Sequence, residues 1–354
     1  MPVYNEAPFV EAAIESVLRQ TTRDFELVIV DNGSTDESPE ILRRIRDPRV
    51  RVFRNSRNLG SAAASNRVVR ESRARFIARM DADDIALPDR LEKQLAAFAS
   101  QPKLALLGGQ VHHFGGGSGP LLRCFAPRAV TRSGVAWQAL FSSPFFHSTV
   151  MFTREAFEAA GGYDERMQRS SDFALFSRMQ ANSHAANLPD VLVRFRHLPR
   201  GLLLDGEYDR LVRKVIEGNA EYALQTRSAD SRLQQLIAEW PDFALMLRGA
   251  QASSSPREMA RLPEFISGFR DRFRELYDDP AGDREIARDA AFVLCSHAST
   301  AARLRRRSAL RLARAGFAHS PRVACEFFSR QVADAAARRL WRLAAARSVP
   351  ATLC

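Results

Sequence analysis

The chain has 354 residues, 45% of them hydrophobic, and a formal net charge of +11 carried mainly by arginine, since Lys93, Lys103 and Lys214 are its three lysines. That length allows one large or two ordinary domains with ample core, and no apolar run approaches the roughly 18 residues of a transmembrane helix. Cys124, Cys295, Cys325 and Cys354 are scattered, which implies neither a disulfide framework nor a zinc site and fits reduced thiols in a cytoplasm; the basic charge comes with no basic-aromatic module, so no nucleic-acid partner is expected.

The opening Met1-Pro2-Val3-Tyr4-Asn5-Glu6 is abrupt, and from Ala7 the pattern turns helical, with Val10, Ile14, Val17 and Leu18 at core spacing. Residues 25–31 are a continuous apolar run of the kind buried on both faces of a parallel sheet. They lead into the turn-rich Asn32-Gly33-Ser34-Thr35-Asp36. A helix through Ile41, Leu42 and Ile45 follows, then a strand over 50–53, the turn Asn58-Leu59-Gly60 and a helix over 61–71. Residues 76–80 predict a fourth strand that ends in Asp81, Asp83 and Asp84, ahead of a helix over 88–99. Carboxylates so close repel one another and need a cation. Asp81 and Asp83 are two apart, so an extended backbone puts them on one side, and their hard oxygens suit Mg2+ or Mn2+ holding a diphosphate. The alternation of strand and helix predicts a doubly wound α/β sheet. Loops carrying Asn5, Asp31, Asn32, Asn58, Asp81 and Asp83 then converge on the edge where ligands bind.

Residues 104–111 read as a further strand, 115–120 as a glycine-rich turn and 145–152 as a β-rich stretch. After a helix and the Gly161-Gly162 break, a helix begins at Ser170 and Ser171. Asp172 lies in its first turn, where capping by itself accounts for a carboxylate. From Gly201 strand signals fade, and helices rich in Ala, Leu, Arg and Glu run to the end. The last of them places Ala333, Ala337, Leu340, Trp341 and Ala344 opposite Arg338, Arg339 and Arg342, with Arg347 falling back toward the apolar side. Such a face packs on its own domain or lies on an anionic bilayer as a peripheral contact.

Taken as an ordered series, these segments resemble a family-2 inverting glycosyltransferase of the GT-A fold. The match runs from Pro2-Val3-Tyr4-Asn5-Glu6 through Asp31-Asn32-Gly33-Ser34-Thr35-Asp36, Asn58-Leu59-Gly60, Asn66 and the Asp81-Ala82-Asp83 motif. It continues through His147-Ser148-Thr149, Gly161-Gly162-Tyr163-Asp164-Glu165 and 172–178. The resemblance implies a Rossmann-like mixed sheet flanked by helices over 1–200, with an α-helical accessory region over 201–354. It implies that Pro2, Tyr4, Asn5, Glu6, Asp31, Asn32 and Asn58 meet the nucleotide, that Asp81 meets the ribose and joins Asp83 at a Mn2+ or Mg2+ ion, and that Asp172 is the catalytic base. His147, Arg178, Arg196 and His197 fall on the diphosphate or acceptor side. The implied substrates are a nucleotide-sugar donor, UDP-sugars first, and a glycan or lipid-linked acceptor of bacterial surface synthesis, handled in the cytoplasm or at the inner face of its membrane. The family's first apolar strand is nearly missing before Pro2, so a start codon further upstream is expected. Asn32 stands where many members carry an aspartate, and its amide oxygen can still accept a hydrogen bond from a uracil ring, without the negative charge. A nucleotidyltransferase would carry a glycine- and arginine-rich phosphate loop after its first strand, and Asn5-Glu6-Ala7-Pro8 is not one. A nucleotide-binding homologue that no longer turns over and a basic membrane-associated scaffold are the remaining alternatives.

Overall fold

The computed structural model describes residues 1–114, 128–167, 170–196, 206–224, 231, 234–240, 256–303 and 309–330. The glycine-rich turn at 115–120, His197 and the terminal amphipathic helix lie outside the described residues. The chain divides into two compact units, Met1–Val135 with Ser143–Val215, and Ala136–Ser142 with Ile216–Cys354.

In the first unit, β1 (Pro2–Val3), β2 (Leu27–Asp31) and β3 (Val50–Arg54) form a parallel sheet in the order β1-β2-β3. All of β2 is buried, as an unbroken apolar strand covered on both faces must be. The helices α1 (Val10–Leu18), α2 (Ser38–Arg44) and α3 (Ser61–Glu71) alternate with these strands. Val10, Ala13 and Ile14 of α1 and Leu42 of α2 join Val3, Leu27 and Ile29 in one core cluster.

A second sheet follows the order β4-β7-β6-β8-β5, built from β4 (Phe76–Ala78), β5 (Ile85–Ala86), β6 (Leu104–Phe114), β7 (Met151–Thr153) and β8 (His184–Arg196). β6 and β8 run parallel and the other pairs antiparallel, so the sheet is mixed. It is accompanied by α4 (Arg90–Ser100) and, after α5 (Arg132–Ala139), which is divided between the two units, by α6 (Arg154–Ala159) and α7 (Ser171–Asn182). β1 is two residues long, and a cavity of about 220 Å3 opens beside it, lined by Met1, by Leu27 and Val28 of β2 and by Phe76, Ile77 and Ala78 of β4.

Two local expectations are corrected. Residues 145–152 are not one extended stretch, because His147–Thr149 form a 3-10 turn and strand begins at Met151. The Thr149 hydroxyl donates to Phe146 O at 2.8 Å and accepts from Gly109 N at 3.1 Å, a side-chain alternative to the ladder. The long strand β8 was absent from the sequence reading, since Pro189-Asp190 argues against a central strand. The register jumps from Asn187 to Val191 along β6, and that irregularity absorbs the proline.

The second unit contains the helices Pro256–Leu276, Pro280–Arg303, Ala309–His319 and Pro321–Arg330. Trp137, Trp240, Phe265, Phe269 and Phe273 are buried in it. The two indole N–H groups donate to Asp289 Oδ2 and to Leu140 O, each at 2.9 Å. Among the described residues no helix is long and apolar enough to cross a membrane.

Candidate active site

Loops that leave the carboxyl ends of β1, β2 and β4 border one cavity of about 570 Å3. Its lining includes Pro2, Tyr4, Glu6, Asn32, Asn58, Asp81, Asp83 and Arg196 from the sequence reading, together with Gly60 and Phe195. Asn5 and Asp31 do not line it and instead build its walls. Asn5, at a φ of 54°, accepts from Thr35 N at 2.9 Å through Oδ1, and its own N–H donates to Ser34 Oγ at 3.0 Å. Asp31 Oδ1 accepts from Ser34 N at 2.9 Å, while Oδ2 pairs with Arg54 Nε at 3.2 Å. Gly33 is required here: its φ is +76°, and a Cβ would stand 2.5 Å from the carbonyl carbon of Arg57.

Asn32 is 3% exposed. Its Nδ2 donates to Asn58 Oδ1 at 2.9 Å and to Gly60 O at 3.2 Å, and its Oδ1 accepts from Asn55 Nδ2 at 2.7 Å and Leu59 N at 3.2 Å. The backbone partners fix which way the amide points. The oxygen expected to meet a uracil ring therefore has both lone pairs engaged already, and Asn32 organises the loop after β3.

β4 runs into Arg79, Met80 and the acidic group. Asp81, Asp83 and Asp84 offer carboxylate oxygens within 4.8 Å of one another. Arg79 pairs with Asp81 Oδ2, and the Ser148 hydroxyl donates to the same oxygen at 2.8 Å. Burial alone would raise the Asp81 carboxyl, but the charge of Arg79, with His147 and Ser148, holds it well below the usual carboxylate range. Asp84 is 1% exposed; its Oδ1 accepts from Arg196 N at 2.7 Å and its Oδ2 has no hydrogen-bond partner. Burial, then the charge of Asp81, push Asp84 up to about 7. An orphaned buried oxygen beside two further carboxylates is a donor set that fits a hard divalent cation. Arg196 Nε donates to Asp83 O at 2.8 Å, and its guanidinium lies 4.4 Å from the ring centres of Phe9 and Phe114. It fixes the acidic turn from β8.

Asp172 is the second residue of α7, behind a left-handed Ser170. Its charge acts on Arg79, His147 and Tyr163. His147 Nε2 and Tyr163 OH share a hydrogen bond of 2.8 Å. Arg178, expected on the diphosphate or acceptor side, instead spends its donors on carbonyls: Nε on Ala160 O at 2.8 Å, Nη1 on Ala174 O at 3.1 Å and Nη2 on Gly162 O. It ties α7 to the Gly161-Gly162 turn. Asn66 grips the same turn, pairing with both the N–H and the carbonyl of Tyr163 at 2.9 Å.

Arg79, Ser148 and Asn55 escaped the sequence reading as site residues. Arg79 did leave a signal, because a cation inside the apolar run 76–80 must be paired if that strand is buried.

Residues 1–160 match the model of a protein family described as "Glycosyl transferase family 2". Over 201 residues the chain is 32% identical to an uncharacterized glycosyltransferase, MJ1057, of Methanocaldococcus jannaschii, a match covering 55% of this chain and 69% of that one. Over 189 residues it is 31% identical to the amylovoran biosynthesis glycosyltransferase AmsE of Erwinia amylovora, covering 52% and 70%. Among solved structures, TarS 1–349 of S. aureus in complex with UDP-GlcNAc is similar in fold, with a TM-score of 0.55 at 16% identity over 81% of this chain and 84% of that one.

Proposed function

The chain belongs to glycosyl transferase family 2 and has the GT-A fold, and from that premise we propose that it moves a sugar from a nucleotide-diphosphate donor, UDP-sugars first, to a hydroxyl of a glycan or lipid-linked acceptor in surface-glycan synthesis. The observation that carries this reading is the single cavity lined both by Tyr4, Asn32 and Asn58 and by the Asp81 and Asp83 pair. The UDP and UDP-GlcNAc complexes of TarS and the part of AmsE in amylovoran biosynthesis support the choice of donor and product class.

Asp172 is the proposed base. It takes the proton of the acceptor hydroxyl as that oxygen attacks the anomeric carbon. The bond from that carbon to the diphosphate breaks, the nucleoside diphosphate departs, and a single displacement inverts the configuration. Asp83 and Asp84 would hold Mn2+ or Mg2+; when bound, the ion supplies positive charge toward the departing diphosphate. Region 201–354 is the proposed accessory part, choosing the acceptor or meeting the inner membrane surface.

Thermal unfolding with and without UDP, each with and without manganese, tests the reading. At about 100 times its dissociation constant UDP should stabilise the fold by roughly 2.7 kcal/mol. We expect that gain only with manganese present and expect Asp83→Ala to abolish it. Asp172→Asn should keep the gain yet lower turnover at least about 100-fold. Stabilisation by no nucleotide at all would favour the inactive-homologue reading.

A further inference from the structure

The proposed reaction gives no role to Arg79 or Ser148, yet both are buried, 7% and 0% exposed, and both converge on Asp81. Burying a guanidinium is costly unless it is paired. Arg79 pairs with Asp81 Oδ2 and stands 3.4 Å from Ser148 Oγ, while its Nε has no hydrogen-bond partner. Its orientation serves the carboxylate before its own needs. Ser148 completes the grip: its hydroxyl donates to Asp81 Oδ2 at 2.8 Å and accepts from Asp81 N at 3.2 Å. That reciprocal pair fixes both the backbone and the side chain of Asp81. Ser148 is held in turn by the 3-10 turn, which Thr149 anchors to Gly109. Each of these side-chain contacts falls on Oδ2, and the side chain of Asp81 is 31% exposed in the cavity it lines.

We infer that Arg79 and Ser148 are positioning residues that clamp Oδ2 of Asp81 and so present Oδ1 alone, in one orientation, to a hydroxyl of the nucleotide donor. Asp81 then acts as a one-oxygen acceptor and does not chelate the cation, which falls to Asp83 and Asp84. This deepens the donor-site reading above and rests on it.

The test is a double-mutant cycle on the full chain, read first without ligand. Ser148→Ala should lower the melting temperature of the wild type more than that of Asp81→Ala, because in the variant the carboxylate partner is gone and only the contacts to the backbone N of residue 81 and to Arg79 remain. An equal decrement in both backgrounds overturns the clamp. The second readout is UDP affinity by calorimetry with manganese. Ser148→Ala should weaken UDP about tenfold in the wild type and not in Asp81→Ala. Arg79→Met should weaken it about 100-fold, with Arg79→Lys recovering about half of that loss on a logarithmic scale. Should Arg79→Met fail to fold, Arg79→Lys and the serine cycle decide. Phe317→Leu in the second unit is the control for general destabilisation; a loss of UDP affinity there equal to that of Ser148→Ala overturns the assignment. If the wild type binds no nucleotide, the donor reading falls, and the ligand-free cycle still decides the clamp.

Discussion

His147 owes its state to burial beside a fixed cation. Burial, then the charge of Arg79, lower its imidazole from 6.5 to about 4, against the opposing pull of Asp172 and Asp81. The unfolded chain therefore takes up a proton below pH 6.5 that the folded protein refuses until about pH 4. Its contribution to stability is complete above 6.5 and is lost as pH falls through that window. At pH 5 the loss is about 2 kcal/mol. Urea unfolding at pH 7 and pH 5 should show this difference in the wild type, and His147→Gln should shrink it by that amount. A pH dependence unchanged in the variant would mean that the ring is not held neutral by the fold. The same residue-scale logic separates Arg178 from Arg196. Both are arginines in matching motifs, but one is consumed by carbonyls of the Gly161-Gly162 turn and the other fixes Asp83 and Asp84.

Between elements, the walls of the site depend on how closely two turns approach. The turn after β2 meets the turn after β3 at Gly33, where a Cβ would strike the backbone of Arg57 and Asn58 at 2.5 to 2.8 Å. Gly60 also has a positive φ, +89°, but nothing lies within 4 Å of its Cβ position. Gly60→Ala should thus cost only the strain of a backbone conformation, φ 89° and ψ 160°, that is essentially confined to glycine, about 1–3 kcal/mol. Gly33→Ala adds a backbone clash and should cost at least about 2 kcal/mol more. Equal losses in chemical denaturation would show that the two turns separate freely. Deeper in the unit, α4 holds the end of β4 through the buried Arg90, whose Nη2 donates to Arg79 O at 2.7 Å and Val150 O at 3.2 Å. Burial, then Arg79, bring that guanidinium down to about 9. β5 and β8 were the elements least open to sequence reading, one for having two residues and the other for carrying Pro189 in its register jump.

For the whole molecule, the cavity belongs to the first compact unit. Stabilisation by ligand should be local, because segments open with different free energies. In hydrogen exchange with UDP and manganese, protection should rise over residues 2–6, 31–34, 55–60 and 81–84, with no comparable gain over 256–303. A gain centred on the second unit would remove the nucleotide site from where it is proposed. The sequence by itself determined the succession of elements from α1 to β4 and the helix α4 that follows the acidic turn, the burial of β2 and the identity of the acidic group, because hydrophobic period and turn chemistry act over a few residues. It also determined the family, since an ordered series of short motifs survives without any knowledge of contacts. Only the tertiary structure decided which oxygen of Asp81 is held, that the oxygen of Asn32 is already spent, and that Asn66 closes on Tyr163. Those pairings join residues 67, 23 to 27 and 97 positions apart. Local propensity carries no record of which surfaces meet at such separations; packing of the two sheets and their helices decides it.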